Sequence, residues 1–310
     1  MTHADFGDLP RWLSRGDLLV LNDTRVFPAR LLGRRTPSGG AVECLLLQPA
    51  SDDVWEALVH PGQKLGPGAR VEFGDPPAIS GEILERRFRG RRLVRLRTVD
   101  GRSIMDVVGE IGHMPLPPYI KRADEPSDRD RYQTVYASVS GSVAAPTAGL
   151  HVTEELLGNL AAAGVERAAL TLHVGYGTFK PVQGERVEDH RVDAESYAVD
   201  ADAAGAMNRA LDEGRRIVAV GTTTTRALET AVQRGGGRVA AAAATSDLFI
   251  YPGHAFQAVG ALLTNFHLPR SSLLMLVCAF GGTERVLQAY REAVAAGYRF
   301  YSYGDAMLVL

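Results

Sequence analysis

Five short clusters in this sequence hold the residue types that do chemistry, and each stands at the edge of a predicted strand or helix. NDTRV at 22–26 offers an acceptor, a hydroxyl and a fixed cation in Asn22, Asp23, Thr24 and Arg25, or else a turn in which Asn22 and Asp23 bond their own backbone. GSVAAPTAGLH at 141–151, with Thr147 and His151, is a loop of small residues that lets a ligand approach backbone amides near a helix start. HVGYGTF at 173–179 supplies His173, Gly175, Gly177, Thr178 and Phe179 after an apolar run. It is not a G-x-G-x-x-G fingerprint and lacks a P-loop lysine, so neither a nicotinamide nor an NTP phosphate site is supported. VGTTTTR at 220–226 places Thr222 and Thr223 among four hydroxyls before Arg226, suited to a ribose or a carboxylate; one N-cap with three solvated hydroxyls is the plainer reading. The last cluster combines TNFHLP at 264–269, with Asn265 and His267, and YSYGDAM at 301–307, with Tyr303 and Asp305. A lone histidine beside apolar runs is more often structural than catalytic.

The elements that must position these clusters change in kind along the chain. Short apolar runs at 18–22, 29–33, 42–47 and 54–59, broken by Gly and Pro, predict antiparallel β structure. Over 61–140 the Gly, Pro and Arg content predicts a small β-rich domain of barrel type, with strands at 69–73, 78–84 and 93–98 and one short helix at 103–111. Capped helices follow at 153–164, 202–214 and 283–297, each leading to a β-like run at 168–173, 217–220 and 298–303. The stretch 239–251 reads as strand alone. Together these predict a mixed α/β large domain over 1–60 and 141–310, interrupted by the small antiparallel β-barrel domain over 61–140.

Composition narrows the class. The 310 residues, 45% apolar and 23% charged, suffice for a full core, and no run approaches the ~20 apolar residues a membrane helix needs. The opening MTHADFGDLPRW lacks the pattern of a signal peptide, which predicts a cytoplasmic protein. Cys44 and Cys278 lie in no metal-binding spacing, so two buried thiols and no metal are expected. With a net charge of −2, any nucleic-acid surface must be local. On their own, the clusters describe a small-molecule site in an α/β enzyme.

The ordered set of motifs resembles the S-adenosylmethionine:tRNA ribosyltransferase-isomerase family. GDLLVLNDTRVFPARL at 16–31, MPLPPYIKR at 114–122, RYQTVYA at 131–137, GSVAAPTAGLHVT at 141–153, HVGYGTFKPV at 173–182, VGTTTTRALE at 220–229, LFIYPG at 248–253, LLTNFHLPRSSLLMLVCAF at 262–280 and YRFYSYGDAMLVL at 298–310 carry the likeness over essentially the whole chain. The resemblance implies a large α/β domain interrupted by a β-barrel. It also implies transfer and rearrangement of the ribosyl part of S-adenosylmethionine, the donor substrate, onto 7-aminomethyl-7-deazaguanine in tRNA, giving epoxyqueuosine and releasing adenine and methionine. A sulfonium acidifies the neighbouring 5′ carbon and later departs as a neutral thioether, so the protein supplies a base, an acid and orientation. On that reading His173, His190, Glu195, His267 and Asp305 are the catalytic candidates. Arg25 and Arg226 are the anchors, and Asn22, Asp23, Thr24, Thr147, His151, Gly175, Gly177, Thr178, Phe179, Thr222, Thr223, Asn265 and Tyr303 line the substrate site.

Two departures from the family pattern accompany the likeness. The family's leading Leu-Pro-x-x-Leu-Ile-Ala motif is not in this sequence, and its His-x-Met-His-x-Glu reads here His190, Arg191, Val192, Asp193, Ala194, Glu195, with Asp193 in place of the second histidine. They motivate a second reading, a paralogue using S-adenosylmethionine on a small-molecule acceptor. A third, a noncatalytic RNA-binding module, rests on ERRFRGRRLVRLR at 85–97, where Arg86, Arg87, Arg89, Arg91 and Arg92, followed by Lys121 and Arg122, form either a phosphate-tracking patch or a solvated hairpin face. A monomer is expected in each case.

Overall fold

The computed structural model describes residues 1–117, 119–179, 182 and 186–310, with side chains placed for all of these except Arg89, Thr178 and Phe179. The chain forms two compact units. The larger comprises Met1–Arg25, Gln133–Val139 and Ala145–Leu310, and the smaller Val26–Tyr132 with Ser140–Ala144.

In the larger unit, apolar runs without alternation become strands buried on both faces, as parallel sheets require. These are β1 (Leu18–Asn22), β12 (Ile217–Val220) and β14 (Ala261–Asn265), each buried at every position. The short β2 (Thr24–Val26) follows β1 and pairs with β9 (Val139–Ser142). With β10 (Glu166–Leu172), β11 (Glu195–Val199), β13 (Ala242–Ser246) and β15 (Ala306–Val309), the main sheet has the order β13-β11-β10-β1-β12-β14-β15. The central four, β10, β1, β12 and β14, are parallel, while β11, β13 and β15 are antiparallel at the flanks.

Helices α3 (Glu154–Ala162), α4 (Ala201–Asp212), α5 (Thr222–Arg234), α6 (Ser272–Gly281) and α7 (Thr283–Ala295) cover this sheet. Thr153 caps α3 through a bond from Leu156 N (3.1 Å), as the sequence predicts, whereas α4 starts earlier than the expected 202, with Asp200 as its cap through a bond from Ala203 N (2.7 Å). One core cluster joins Leu156, Leu157 and Leu160 of α3 to Leu19, Leu21, Val218 and Leu263; another packs Phe266 against Leu276, Val277 and Tyr290.

The smaller unit is a closed barrel of β3 (Arg30–Thr36), β4 (Ala41–Pro49), β5 (Val54–His60), β8 (Arg91–Thr98), β7 (Ile79–Arg86) and β6 (Arg70–Phe73), in that order. Alternate residues fill its interior, among them Cys44, Leu46, Phe73, Ile79, Val94 and Leu96, leaving a packed core of side chains. Closure brings β3 against β6 at Gly33, where a Cβ would lie 2.0 Å from Glu72 O, so no larger residue fits there. The unit also holds α1 (Ile104–Ile111) and the single-turn α2 (Asp128–Arg131).

The structure departs from the sequence reading in several places. The run 18–22, read with its neighbours as antiparallel β structure, pairs in parallel with β10 and β12. The chain enters the smaller unit at Val26 and not at 61, because β3, β4 and β5 are needed to close the barrel. Only Ala242–Ser246 of the 239–251 stretch is strand. The run 298–303 is a turn, with Asp305 N bonded back to Arg299 O (2.7 Å) and Tyr301 at φ +77°, so the last strand begins at Ala306. Cys44 and Cys278 are both buried and free, and burial pushes the Cys44 thiol up to about 12. No helix among the described residues is long and apolar enough to cross a membrane.

Candidate active site

The sequence clusters lie at one edge of the large sheet because parallel strands end together. Asn22 ends β1 ahead of DT, HVG follows β10, GTT follows β12, and Asn265 ends β14 ahead of FH. The antiparallel flanks bring their own residues to the same edge: Leu172 is opposite Tyr197, so Glu195 begins β11 there, and Asn265 is opposite Ala306, which follows Asp305. The carboxyl ends of strands are where open α/β sheets bind ligands.

At the centre, Asn22 is fully buried and its amide replaces a missing rung of the β1–β10 ladder. It donates to Leu172 O (3.0 Å) and accepts from Leu172 N (2.9 Å) and Thr24 N (3.2 Å), which makes it a framework residue. Asp23 accepts from Thr171 Oγ1 (2.6 Å) and Ser138 Oγ (2.7 Å). Thr24 Oγ1 lies 2.8 Å from His173 Nδ1. Burial holds the His173 imidazole below the usual histidine range, against an opposing pull from Asp23, so it is neutral at pH 7. Arg25 is exposed.

Towards β11, Glu195 and Arg226 form an ion pair at 2.6 Å with both side chains more than nine-tenths buried. Glu195 also accepts from Gly175 N (2.8 Å), and Arg226 Nε donates to Leu248 O (3.0 Å). These bonds tie the glycine-rich loop, the start of β11 and α5 into one framework. The bare Cα of Gly177 accommodates Asp193, whose Oδ2 is 2.7 Å from where a Cβ would stand. The His190 ring meets Phe249 edge-on at 4.9 Å between centroids. The side chains of Thr178 and Phe179 lie outside the described residues.

The threonine cluster departs from the N-cap reading. Gly221, at φ +94°, occupies the cap position and all four threonines are helical and buried. Thr224 and Thr225 donate back to Val220 O (2.6 Å) and Gly221 O (3.1 Å), leaving Thr222 and Thr223 at the first turn of α5.

At β14, Asn265 Nδ2 lies 3.0 Å from His151 Nε2, and the His151 ring stacks on Phe6 at 4.9 Å. Burial lowers the His151 pKa more than nearby Asp305 raises it. His267 is locked, with Nε2 on Thr264 Oγ1 (2.8 Å) and its backbone amide on Tyr290 Oη (2.8 Å), and burial drops its pKa to about 4. The Asp305 carboxylate holds the Arg299 amide (2.7 Å) in the last turn. Thr147 is partly buried in the single turn Thr147–His151, and Tyr303 is 42% exposed.

The edge therefore gathers Thr24, His173, Glu195, Arg226, Thr222, Thr223, His151 and Asn265, while Asn22, His267 and Asp305 are engaged in framework bonds. Ser138, Thr171 and Thr264, which hold site residues in place, escaped the sequence reading. Ser138 adjoins the RYQTVYA motif and Thr264 opens TNFHLP, and those motifs were the signal available.

The arginine run belongs to the smaller unit and is largely paired. Arg92 points inward, 7% exposed, donating to Leu65 O (3.2 Å), Gly62 O (3.0 Å), Gly90 O (3.1 Å) and Arg91 O (2.9 Å), because alternation along β8 turns it to the opposite face from Arg91. Arg91 pairs with Glu56 (3.0 Å), Arg87 with Glu85 (3.0 Å) and Arg122 with Asp128 (2.7 Å). Arg86 and Lys121 are exposed, and the side chain of Arg89 lies outside the described residues.

The fold is that of an α/β protein with a candidate site on the carboxyl edge of parallel strands and a closed barrel in the smaller unit. Residues 1–309 match the family model described as queuosine biosynthesis protein. The chain is 52% identical over 309 residues to an S-adenosylmethionine:tRNA ribosyltransferase-isomerase of Heliobacterium modesticaldum, covering 99% of this chain and 89% of that protein. A relative of the same name from Anaeromyxobacter sp. is 52% identical over 310 residues, covering 99% and 88%. The crystal structure of an S-adenosylmethionine tRNA ribosyltransferase from Thermotoga maritima is 36% identical, with a TM-score of 0.50, over 98% of this chain and 86% of that one. This chain belongs to the queuosine biosynthesis protein family.

Proposed function

We propose that this chain is an S-adenosylmethionine:tRNA ribosyltransferase-isomerase. It transfers and rearranges the ribosyl moiety of S-adenosylmethionine onto 7-aminomethyl-7-deazaguanine in tRNA, leaving epoxyqueuosine and releasing adenine and methionine. The observation that carries this reading is the convergence of the motif-bearing ends of β10, β1, β12 and β14 on one edge, beside an imidazole kept neutral by burial.

His173 is the proton acceptor in this reading. Nδ1 is engaged by Thr24, so Nε2 is the nitrogen left for proton transfer from the ribose carbon that the sulfonium acidifies. The C–H electron pair stays on the sugar, the proton passes to the imidazole, and the imidazolium then supplies a proton to departing adenine. Thr222 and Thr223 at the start of α5 suit the ribose hydroxyls. The near half identity to relatives carrying the enzyme's name, over 99% of the chain, supports tRNA as the acceptor over a free small molecule.

Incubation with S-adenosylmethionine and tRNA bearing the deazaguanine base should release adenine and methionine and increase the mass of the RNA. Release of neither, under conditions where a relative turns over, overturns the proposal. Adenine release that persists without RNA would instead indicate the small-molecule acceptor.

A further inference from the structure

Buried polar atoms in folded proteins are almost always hydrogen-bonded, so each exception calls for a cause. Among the described residues, two exceptions stand at the carboxyl edge of the large sheet, on side chains more than nine-tenths buried: Arg226 Nη2 and Asn265 Oδ1. Arg226 is held by Nη1 on Glu195 and Nε on Leu248 O, which fixes the guanidinium and leaves Nη2 without a protein acceptor. Asn265 donates through Nδ2 to His151, which leaves its carbonyl oxygen without a protein donor. Elsewhere in this unit the buried atoms of this kind have polar neighbours: the Thr134 and Tyr136 hydroxyls lie against each other, Arg215 Nε is 2.6 Å from Glu213, and His254 Nε2 is 3.7 Å from Glu229.

The two orphans have opposite polarity and mark opposite ends of the row. Arg226 is pinned at the start of β11, and Asn265 ends β14, four strands along. At about 4.8 Å per strand that is a span of roughly 19 Å, the scale of an extended methionyl nucleoside with a hydrogen bond at each end. Such a molecule carries an acceptor, the α-carboxylate, at one end and a donor, the adenine 6-amino group, at the other. The Arg226–Glu195 pair presents both signs of charge, matching an amino-acid zwitterion. Reversing the ligand would set amine against guanidinium and carboxylate against amide oxygen, leaving both orphans unsatisfied.

Resting on the function proposed above, we infer that S-adenosylmethionine lies along this edge with its methionyl carboxylate on Arg226 Nη2 and its adenine 6-amino group on Asn265 Oδ1. The ribose then spans β1 and β12, with His173 on one side and the first turn of α5 on the other. Arg226 is thereby a direct substrate contact, and Glu195 a positioning residue that aims it, not the base.

The test crosses two ligand deletions with two protein deletions, measuring dissociation constants by calorimetry on the full chain. The ligands are S-adenosylmethionine, its decarboxylated form, and the 6-oxo analogue in which hypoxanthine replaces adenine; the variants are Arg226→Lys and Asn265→Ala. The wild-type chain should bind each analogue on the order of 10- to 100-fold more weakly than S-adenosylmethionine. Asn265→Ala should erase the discrimination against the 6-oxo analogue and keep that against the decarboxylated one, with Arg226→Lys doing the reverse. A merely structural loss would weaken all three ligands alike and overturn the orientation, as would the opposite cross pattern. The wild-type comparison stands alone should a variant fail to fold: binding of all three ligands within about threefold overturns the orientation only. Failure of S-adenosylmethionine itself to bind overturns the orientation together with the proposed function.

Discussion

Thr24 and His173 come from segments 149 positions apart, yet Thr24 Oγ1 sits 2.8 Å from His173 Nδ1. The parallel pairing of β1 with β10 brings them together, and the buried amide of Asn22 locks the register at that point. The contact fixes the plane of an imidazole whose burial keeps it neutral.

Replacing His173 by Gln should lower turnover by about 10²- to 10⁴-fold, the usual contribution of a positioned proton acceptor, with a much smaller change in the affinity for S-adenosylmethionine. Thr24→Val should cost less, because it frees the ring without removing it. Single-turnover adenine release measures both. A His173→Gln enzyme with wild-type turnover would assign the base elsewhere.

The acid limb of the kcat/KM profile should fall below the ordinary histidine value of 6.5, since the His173 pKa is lowered and its neutral form persists as the pH drops. Stability should move in the same direction. A histidine with a depressed folded pKa binds fewer protons when folded than when unfolded, so stability is complete above pH 6.5 and declines below it. For His267 the decline continues to about pH 4, contributing up to ~1.4 kcal/mol per pH unit. Urea midpoints between pH 7.5 and 4.5 should fall more steeply for the wild-type chain than for His267→Asn.

The Glu195–Arg226 pair predicts an asymmetry between two substitutions. Glu195→Ala leaves a buried guanidinium uncompensated and should cost about 3–5 kcal/mol. Glu195→Gln keeps an oxygen for Gly175 N and should cost less. Equal losses by urea unfolding would mean that the retained oxygen contributes nothing and that the charge of Glu195 carries the whole effect.

Gly149→Ala should destabilise the large unit by about 1–3 kcal/mol, because the new methyl would lie 2.0 Å from Tyr136 Oη and 2.8 Å from Thr134 Cγ2. Adding Tyr136→Phe removes the nearer atom and should recover part of the loss. Thermal melts of the single and double variants test this coupling, and strictly additive losses would show that the two positions do not meet.

Arg92→Ala should lower the melting temperature of the barrel while leaving the salt dependence of tRNA binding unchanged, because its guanidinium bonds carbonyls inside the unit. Arg86→Ala, at an exposed site, should do the opposite if the smaller unit tracks phosphate. Titrations at two ionic strengths separate the two effects.

The sequence by itself determined the local grammar of this protein. Apolar runs such as LLVLN and IVAV announced strands, though not that β1 pairs in parallel; Thr153 announced the start of α3, and the ordered motifs announced the family. Those features depend on neighbours within a few residues, where hydrogen-bond geometry and periodicity act directly. The roles of Asn22 and of the Glu195–Arg226 pair were decided by contacts between segments far apart in the chain. The bonds that occupy His267 and Asp305, and the helical start at the four threonines, are local, but only the folded backbone showed them. The barrel boundary was hidden for the same reason: β3 looks like any short strand until closure against β6 at Gly33 assigns it to the smaller unit.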